Sequence, residues 1–285
     1  MLRRHRIPDS LKRAIREEGF SLEHKVLKAF EKWNITPNRY FWDRSTGRIS
    51  EYDLLAVKEY KNSNGLVFKL ALAVECKYLK GITVFYERHL VNNEYPIMVR
   101  IGDKIKERFL MGDISKIINS LAQYKGMFFS ENQVFGYASF KESNKNQSNQ
   151  TAGGGGRGTE NVYDSDDRTY KNLLAGIKGI AMAARYELEK ITQEKSKEKS
   201  LLGNADLLLI FPLVVVEGKL LRCFMAKRTR ISMDKVFRYR AAIPKMGGEE
   251  PSEFYVYIID KDSLRTMLRF FNQLFIKMRG TFVKI

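Results

Sequence analysis

The feature that most constrains the fold is a predicted β-hairpin within residues 51–80. Its first arm covers 49–57, a polar turn follows at 61–65, and a strongly apolar second arm covers 66–76. An apolar run of this length bounded by turn residues is typical of a central strand. The hairpin therefore predicts a buried sheet around which the rest of the chain is arranged.

Three charged side chains interrupt this apolar hairpin. Asp53 lies on the first arm, and Glu75 and Lys77 lie at the end of the second. Glu75 and Lys77 are two residues apart on a strand, so they leave the same face of the sheet, whereas Cys76 faces the other way. Buried charges are costly unless they are paired or bound to a cation.

Carboxylate oxygens are the ligands that Mg²⁺ prefers, so Asp53 and Glu75 are a candidate metal pair. Lys77 beside that metal would orient a water or stabilise negative charge on a phosphate. The alternative interpretation is an acid in a turn and a Glu–Lys pair solvated where the strand leaves the sheet. An isolated E-x-K is common, and Asp53 on the paired strand is what favours the metal site.

Asp53 followed by Glu75-Cys76-Lys77 resembles the signature of the PD-(D/E)XK nuclease superfamily. Members begin with a helix that carries a glutamate, followed by a hairpin with the Asp and the E-x-K. Glu23, in the predicted helix after Gly19, falls where that glutamate is expected. The resemblance covers mainly residues 18–124 and is closest to the Mrr-like and Holliday-junction-resolvase-like branches. Tyr52 stands where the motif has proline.

The resemblance implies an α/β, restriction-endonuclease-like fold with a central mixed β-sheet flanked by helices. It implies an endodeoxyribonuclease that uses Mg²⁺ (or Mn²⁺) to hydrolyse phosphodiester bonds of DNA. Asp53 and Glu75 would ligate the metal with the backbone carbonyl of Cys76, Lys77 would act on the water or the phosphate, and Glu23 would support the metal. By analogy with nucleases that cut two strands, the resemblance is also compatible with a homodimer.

A second set of residues has the same order, Asp206 followed by Glu217-Gly218-Lys219. Here the pattern predicts separate strands at 207–210, 213–216 and 220–225, interrupted by Pro212 and turned at Gly218. Charges at a hairpin turn are solvated and need no partner, so the set around Asp53 is preferred. The second set stays open as the alternative site.

The formal net charge of +17 over 285 residues indicates a polyanionic partner, with nucleic acid first and an acidic membrane surface second. Basic residues are dense in 219–245, where they predict a phosphate-tracking groove. The nucleic-acid-binding residues predicted there are Arg222, Lys227, Arg228, Arg230, Lys235, Arg238 and Arg240. The alternative is a solvated hairpin whose charges only keep it soluble.

The predicted organisation is a basic N-terminal arm at 1–18 and a single α/β domain at 19–285, with a flexible polar insertion at 141–167. Helices are predicted at 113–125, 170–194 and 263–278. The absence of a signal peptide or a membrane-length apolar run predicts a cytoplasmic protein without a membrane partner. Two alternatives to an enzyme are a non-catalytic nucleic-acid-binding protein that uses the same fold as a scaffold and a basic assembly protein of a mobile element.

Overall fold

The protein is an α/β structure in which a large mixed sheet is flanked by helices. The computed structural model describes residues 20–43, 46–89, 98–106, 114, 116–118, 120–121, 132–143, 162–193, 201–224, 230–233, 235–243 and 252–283. The three long helices are α1 (Phe20–Ala29), α2 (Asp167–Gln193) and α3 (Leu264–Phe282), and a short 3₁₀ helix (Lys261–Ser263) precedes α3. The strands are β1 (Asn34–Asp43), β2 (Arg48–Lys61), β3 (Val67–His89), β4 (Met98–Ile101), β5 (Asn132–Ser143), β6 (Val162–Ser165), β7 (Leu207–Phe224), β8 (Arg230–Met233), β9 (Val236–Ile243) and β10 (Ser252–Asp260).

The predicted hairpin is confirmed as β2 and β3. The two strands pair antiparallel from Lys61 opposite Val67 to Leu54 opposite Val74. Asn62 closes the turn, because its side-chain oxygen accepts the backbone N–H groups of Asn64 and Leu66 at 3.0 and 2.9 Å. β1 adds to the outer edge of β2 and completes an antiparallel three-stranded meander.

The prediction of three separate strands in 207–225 is wrong, because β7 runs unbroken from Leu207 to Phe224 and pairs parallel with β3. Pro212 falls between the stretch of β7 that pairs with β4 and the stretch that pairs with β10, where a residue without an N–H group is tolerated.

Gly218 is a bulge position rather than a turn. Residues 79–81 of β3 stand opposite this one residue, and a Cβ on Gly218 would lie 3.0 Å from the Leu79 carbonyl oxygen. Gly81, at φ +85°, completes the bulge in the left-handed region. The sheet therefore changes its course just beyond Lys77.

The sheet has a hydrophobic core on each face. On one face, α1 and α3 contribute Leu22, Val26, Phe271 and Leu274, all buried. On the other face, α2 contributes its buried stripe, which the sequence pattern predicted at helical spacing: Leu173, Ile177, Ile180 and Ala184. The strands β3, β5, β9, β10 and β7 pair in a closed ring, in which β10 joins β7 before the bulge and β5 joins β3 after it. Within the core of this face, Phe85 stacks on Phe237 with ring centroids 4.2 Å apart.

The helices predicted at 170–194 and 263–278 correspond to α2 and α3, and buried Ile114, Ile118 and Leu121 lie in the stretch predicted as a helix at 113–125. Both ends of the predicted insertion form strands instead, since β6 pairs with the last residues of β5, while 144–161 and the predicted arm at 1–18 lie outside the described residues. Within the described part of the chain, no helix combines the length and apolar character that crossing a bilayer requires.

Candidate active site

Asp53 lies where the β2–β3 ladder ends. The last paired residues are Leu54 and Val74, so Asp53 and Glu75 are the next residues on the two strands. The Asp53 Oδ2 atom accepts the backbone N–H of Cys76 at 2.6 Å. The Asp53 carboxylate thus accepts a hydrogen bond from a β3 backbone N–H just beyond the point where the backbone pairing of β2 with β3 ends.

Glu75 and Lys77 form an ion pair on one face of β3, as their spacing predicted. The Lys77 Nζ atom lies 2.6 Å from Glu75 Oε1, with the two side chains 21% and 12% exposed. A pair this sheltered is weakly screened by salt, and removing either partner would leave the other without its ion pair. Glu75 therefore holds the ammonium group of Lys77 beside the end of the ladder.

A glycine of α2 makes room for Lys77. A Cβ built on Gly176 would lie 2.7 Å from Cε and 3.2 Å from Cγ of Lys77, so the lysine stem crosses the helix at this position. Sequence reasoning missed Gly176. Its only signal is a glycine within an apolar helical stripe, where glycine is unfavourable unless another group approaches closely.

Glu23 on α1 belongs to the same cluster. Burial raises the pKa of Glu23, the charge of Asp53 raises it further, and the charge of Lys77 opposes both. Glu23 is therefore near enough to Asp53 and Lys77 to feel their charges, and its role toward a metal stays a prediction.

The pKa values of Glu23, Asp53 and Glu75 are all raised above their ordinary values. Burial raises the pKa of Asp53 against the lowering effect of the Cys76 N–H. Burial raises the pKa of Glu75 to about 7, although Lys77 lowers it and the Asp53 charge adds to the increase. Burial, together with these three carboxylates, raises the pKa of the Cys76 thiol, which keeps it neutral.

The donor chemistry of this cluster fits a hard divalent cation, because its carboxylate oxygens repel one another in a partly buried place. Among the described residues, however, no three His, Cys, Asp or Glu side chains are already arranged around one metal position. Asp53 uses one oxygen on Cys76 and Glu75 uses one on Lys77, and each carboxylate has a second oxygen. The role of the Cys76 carbonyl as a ligand stays a prediction.

The alternative set does not form one site. Asp206 precedes β7 and exchanges hydrogen bonds with Val67, accepting its N–H at 2.8 Å, whereas Glu217 lies eleven positions further along. At about 3.3 Å per strand residue this separates the two acids by more than about 30 Å. Lys219 is exposed.

The basic stretch 219–245 is not one continuous phosphate surface. Arg222 is held inward by Glu87, with its Nε atom 2.7 Å from Oε2. Arg238 is 9% exposed and lies over the ring of Tyr255 at 4.4 Å. Lys235 and Arg240 are exposed, while Lys227, Arg228 and the side chain of Arg230 lie outside the described residues.

Comparisons of the chain with protein-family models, with curated proteins and with solved structures find no match. The chemistry assigned to the site accordingly depends on its own residues and their geometry.

Proposed function

We propose that this protein is a metal-dependent nuclease that hydrolyses phosphodiester bonds of DNA, built on a restriction-endonuclease-like version of its α/β fold. The observation that carries the proposal is the convergence of Glu23, Asp53, Glu75 and Lys77 at the end of the β2–β3 ladder. They come from one helix and two strands, in the order that the resemblance requires.

The cluster has more carboxylate than ammonium charge, and this excess supports the proposal. Three acids with raised pKa values face a single lysine, which is unfavourable for a fold without a cation. Perturbed titratable groups concentrated in one place are typical of functional sites. Asp53 and Glu75 would hold the metal, and Glu23 would support it or its water.

A bound Mg²⁺ or Mn²⁺ would supply Lewis-acid activation of water and phosphate. The chain's own residues do the remaining work. Glu75 and Gly176 hold the Lys77 ammonium group in a fixed, sheltered position, where it stabilises negative charge on a phosphate oxygen. Asp53 fixes β3 through the Cys76 N–H at the point where its pairing with β2 ends, so Asp53 and Glu75 keep their relative positions.

A second candidate function is a nucleic-acid-binding scaffold without catalysis. One observation favours it: Asp53 and Glu75 both have protein partners, and the described residues contain no ready-made metal cluster. Under this alternative the hairpin charges would serve only to end the β2–β3 ladder.

Cleavage of labelled linear, nicked and branched DNA tests the proposal. We expect cleavage with Mg²⁺ or Mn²⁺ and none with EDTA. Asp53→Asn and Lys77→Met should each reduce the rate by at least about a hundredfold, since each removes a group that acts on the metal or phosphate.

Glu59→Gln is the matched control, because Glu59 is an acid on the same strand that pairs with Lys69 away from the site. It should retain the wild-type rate, and all variants should retain the wild-type circular dichroism spectrum. Metal-dependent cleavage that survives in Asp53→Asn would contradict the assigned site, and DNA binding without cleavage by any metal would favour the scaffold.

A further inference from the structure

A groove of about 650 Å³ lies between α1 and the start of α3, on the face of the sheet opposite α2. Four cationic side chains line it, Lys25 and Lys28 from α1 and Lys261 and Arg265 from the 3₁₀ helix and α3. Two acids, Glu31 and Asp262, also line it, so its walls carry an excess of positive charge. Its volume is that of a binding site for a ligand rather than for a single ion.

Glu217 fixes two of these cations from beneath. Its carboxylate is 13% exposed, with Oε1 2.6 Å from Lys261 Nζ and Oε2 3.7 Å from Lys25 Nζ. The carboxylate holds the two ammonium groups together against their mutual repulsion. The second E-x-K set thus supplies a residue to the groove instead of a second catalytic site.

Lys28 and Arg265 stand on the two walls of the groove and are exposed. Within the described part of the chain neither has an ion-pair partner. Their charge is therefore available to an anion that enters from solvent.

The groove adjoins the candidate active site. Tyr78, which follows Lys77 on β3, pairs with Glu217 of β7. Asp260 of β10 pairs with Val216 of β7, and Lys261 is the next residue after Asp260. Tyr78, Glu217 and Lys261 therefore lie side by side across three neighbouring parallel strands. At about 4.8 Å between strands, the backbone at Lys261 is about 10 Å from that of β3 at Tyr78, with the groove on the α1 face of the sheet and Lys77 on the α2 face. α1 carries Glu23 as well as the groove residues Lys25 and Lys28.

We propose that this groove binds the phosphodiester backbone of DNA beside the hairpin acids. The assignment of DNA rests on the proposed nuclease function, whereas backbone binding itself needs no metal. Lys28 and Arg265 contact phosphates directly, and Glu217 positions Lys25 and Lys261 to do the same. Binding of this kind is salt-dependent and largely independent of base sequence.

DNA binding in EDTA tests the groove without any contribution from cleavage. We compare the wild-type chain with Lys28→Glu/Arg265→Glu, by fluorescence anisotropy of a labelled duplex over a range of salt concentrations. The control is Lys171→Glu/Lys178→Glu, which makes the same charge change at exposed positions of α2 on the opposite face. Thermal unfolding of both double variants checks that each folds.

We expect the groove variant to bind at least about tenfold more weakly than the control and to lose about two units of the salt slope, one for each phosphate contact. Equal losses in both double variants, or no loss in the groove variant, would overturn the proposal. An acidic peptide that displaces DNA as well as a competing duplex of equal charge would overturn the assignment to nucleic acid.

Cleavage measured in parallel separates the two proposals. If Mg²⁺ supports cleavage, the groove variant should show a raised KM with kcat retained, because it lacks backbone contacts but keeps the hairpin acids. If the groove variant binds DNA more weakly but neither it nor the wild type cleaves DNA, the groove proposal is supported and the nuclease proposal is refuted. If the wild type cleaves DNA and the groove variant binds DNA as tightly as the wild type, the nuclease proposal is supported and the groove proposal is refuted.

Discussion

Glu75 illustrates what the site costs at the scale of a single residue. Burial raises its pKa from 4.5 to about 7, despite the ion pair with Lys77. When a carboxyl group binds its proton more tightly in the folded chain than in the unfolded chain, the folded protein becomes less stable as the pH rises and the proton is lost. The free energy of unfolding therefore falls between about pH 4.5 and pH 7 and stays lower above it.

Glu75→Gln should remove that penalty while abolishing cleavage. At pH 8 we expect its free energy of unfolding to exceed that of the wild type by about 1–3 kcal/mol, with the difference becoming small at about pH 4, below the ordinary pKa of the carboxyl group. Urea unfolding at the two pH values measures it. A variant that is less stable than the wild type at pH 8 would show that the Glu75–Lys77 pair stabilises the fold outright.

Some contacts of the candidate site can be predicted from the alternation of side chains along a strand, whereas others depend on how the helices pack on the sheet. The shared face of Glu75 and Lys77 follows from strand periodicity, and the hairpin register brings Asp53 beside them. The contact of Lys77 with Gly176, nearly a hundred residues away, depends on how α2 docks on the sheet. No local pattern specifies that contact.

At the scale of elements, α2 governs the position of Lys77, and two of its glycines separate this role from helix stability. Gly176→Ala places a methyl group 2.7 Å from Lys77 Cε, so the lysine side chain must shift and its ion pair with Glu75 is disturbed. We expect cleavage to fall about tenfold to a hundredfold. Gly179→Ala meets no atom within 4 Å and should keep its cleavage rate.

Each alanine should also add helix stability of about 0.5–1 kcal/mol by propensity, which the Lys77 contact offsets in part for Gly176→Ala. Thermal unfolding and the cleavage rate of the two variants are measured together. Equal activity in both would show that α2 does not position Lys77.

A buried network ties β1, β2 and α2 together next to Asp53. Glu187 of α2 is fully buried and accepts the Tyr52 hydroxyl at 3.0 Å and the Arg39 Nε–H at 2.9 Å. Tyr52 directly precedes Asp53 on β2, so its hydrogen bond to Glu187 anchors the strand that carries Asp53.

Removing Tyr52's hydroxyl should cost much less than removing Glu187. Tyr52→Phe loses one hydrogen bond while Arg39 keeps its partner, at a cost of about 1–2 kcal/mol. Glu187→Ala leaves Arg39 part-buried without its carboxylate, at a cost of about 3–5 kcal/mol. Urea unfolding distinguishes the two, and similar losses would mean that Arg39 and Glu187 contribute no more than the single Tyr52 hydrogen bond.

At the scale of the whole molecule, the site lies where the two layers of helices meet across the sheet. α1 brings Glu23 from one face, and α2 supports Lys77 from the other. The α/β class and its flanking helices follow from apolar periodicity in the sequence. The parallel pairing of β3 with β7 does not, because strands about 140 residues apart are matched by packing rather than by any local signal.

The most direct test of the central claim is to measure the binding of Mn²⁺ to the chain by titration calorimetry, at pH 7 and without DNA. Binding at the hairpin acids should be stoichiometric and should release protons, since the Glu75 carboxyl is partly protonated at this pH. It should be lost in Asp53→Asn and Glu75→Gln and retained in Glu59→Gln. Failure of the wild-type chain to bind Mn²⁺, or equal binding by all four proteins, would contradict a metal site built from Asp53 and Glu75.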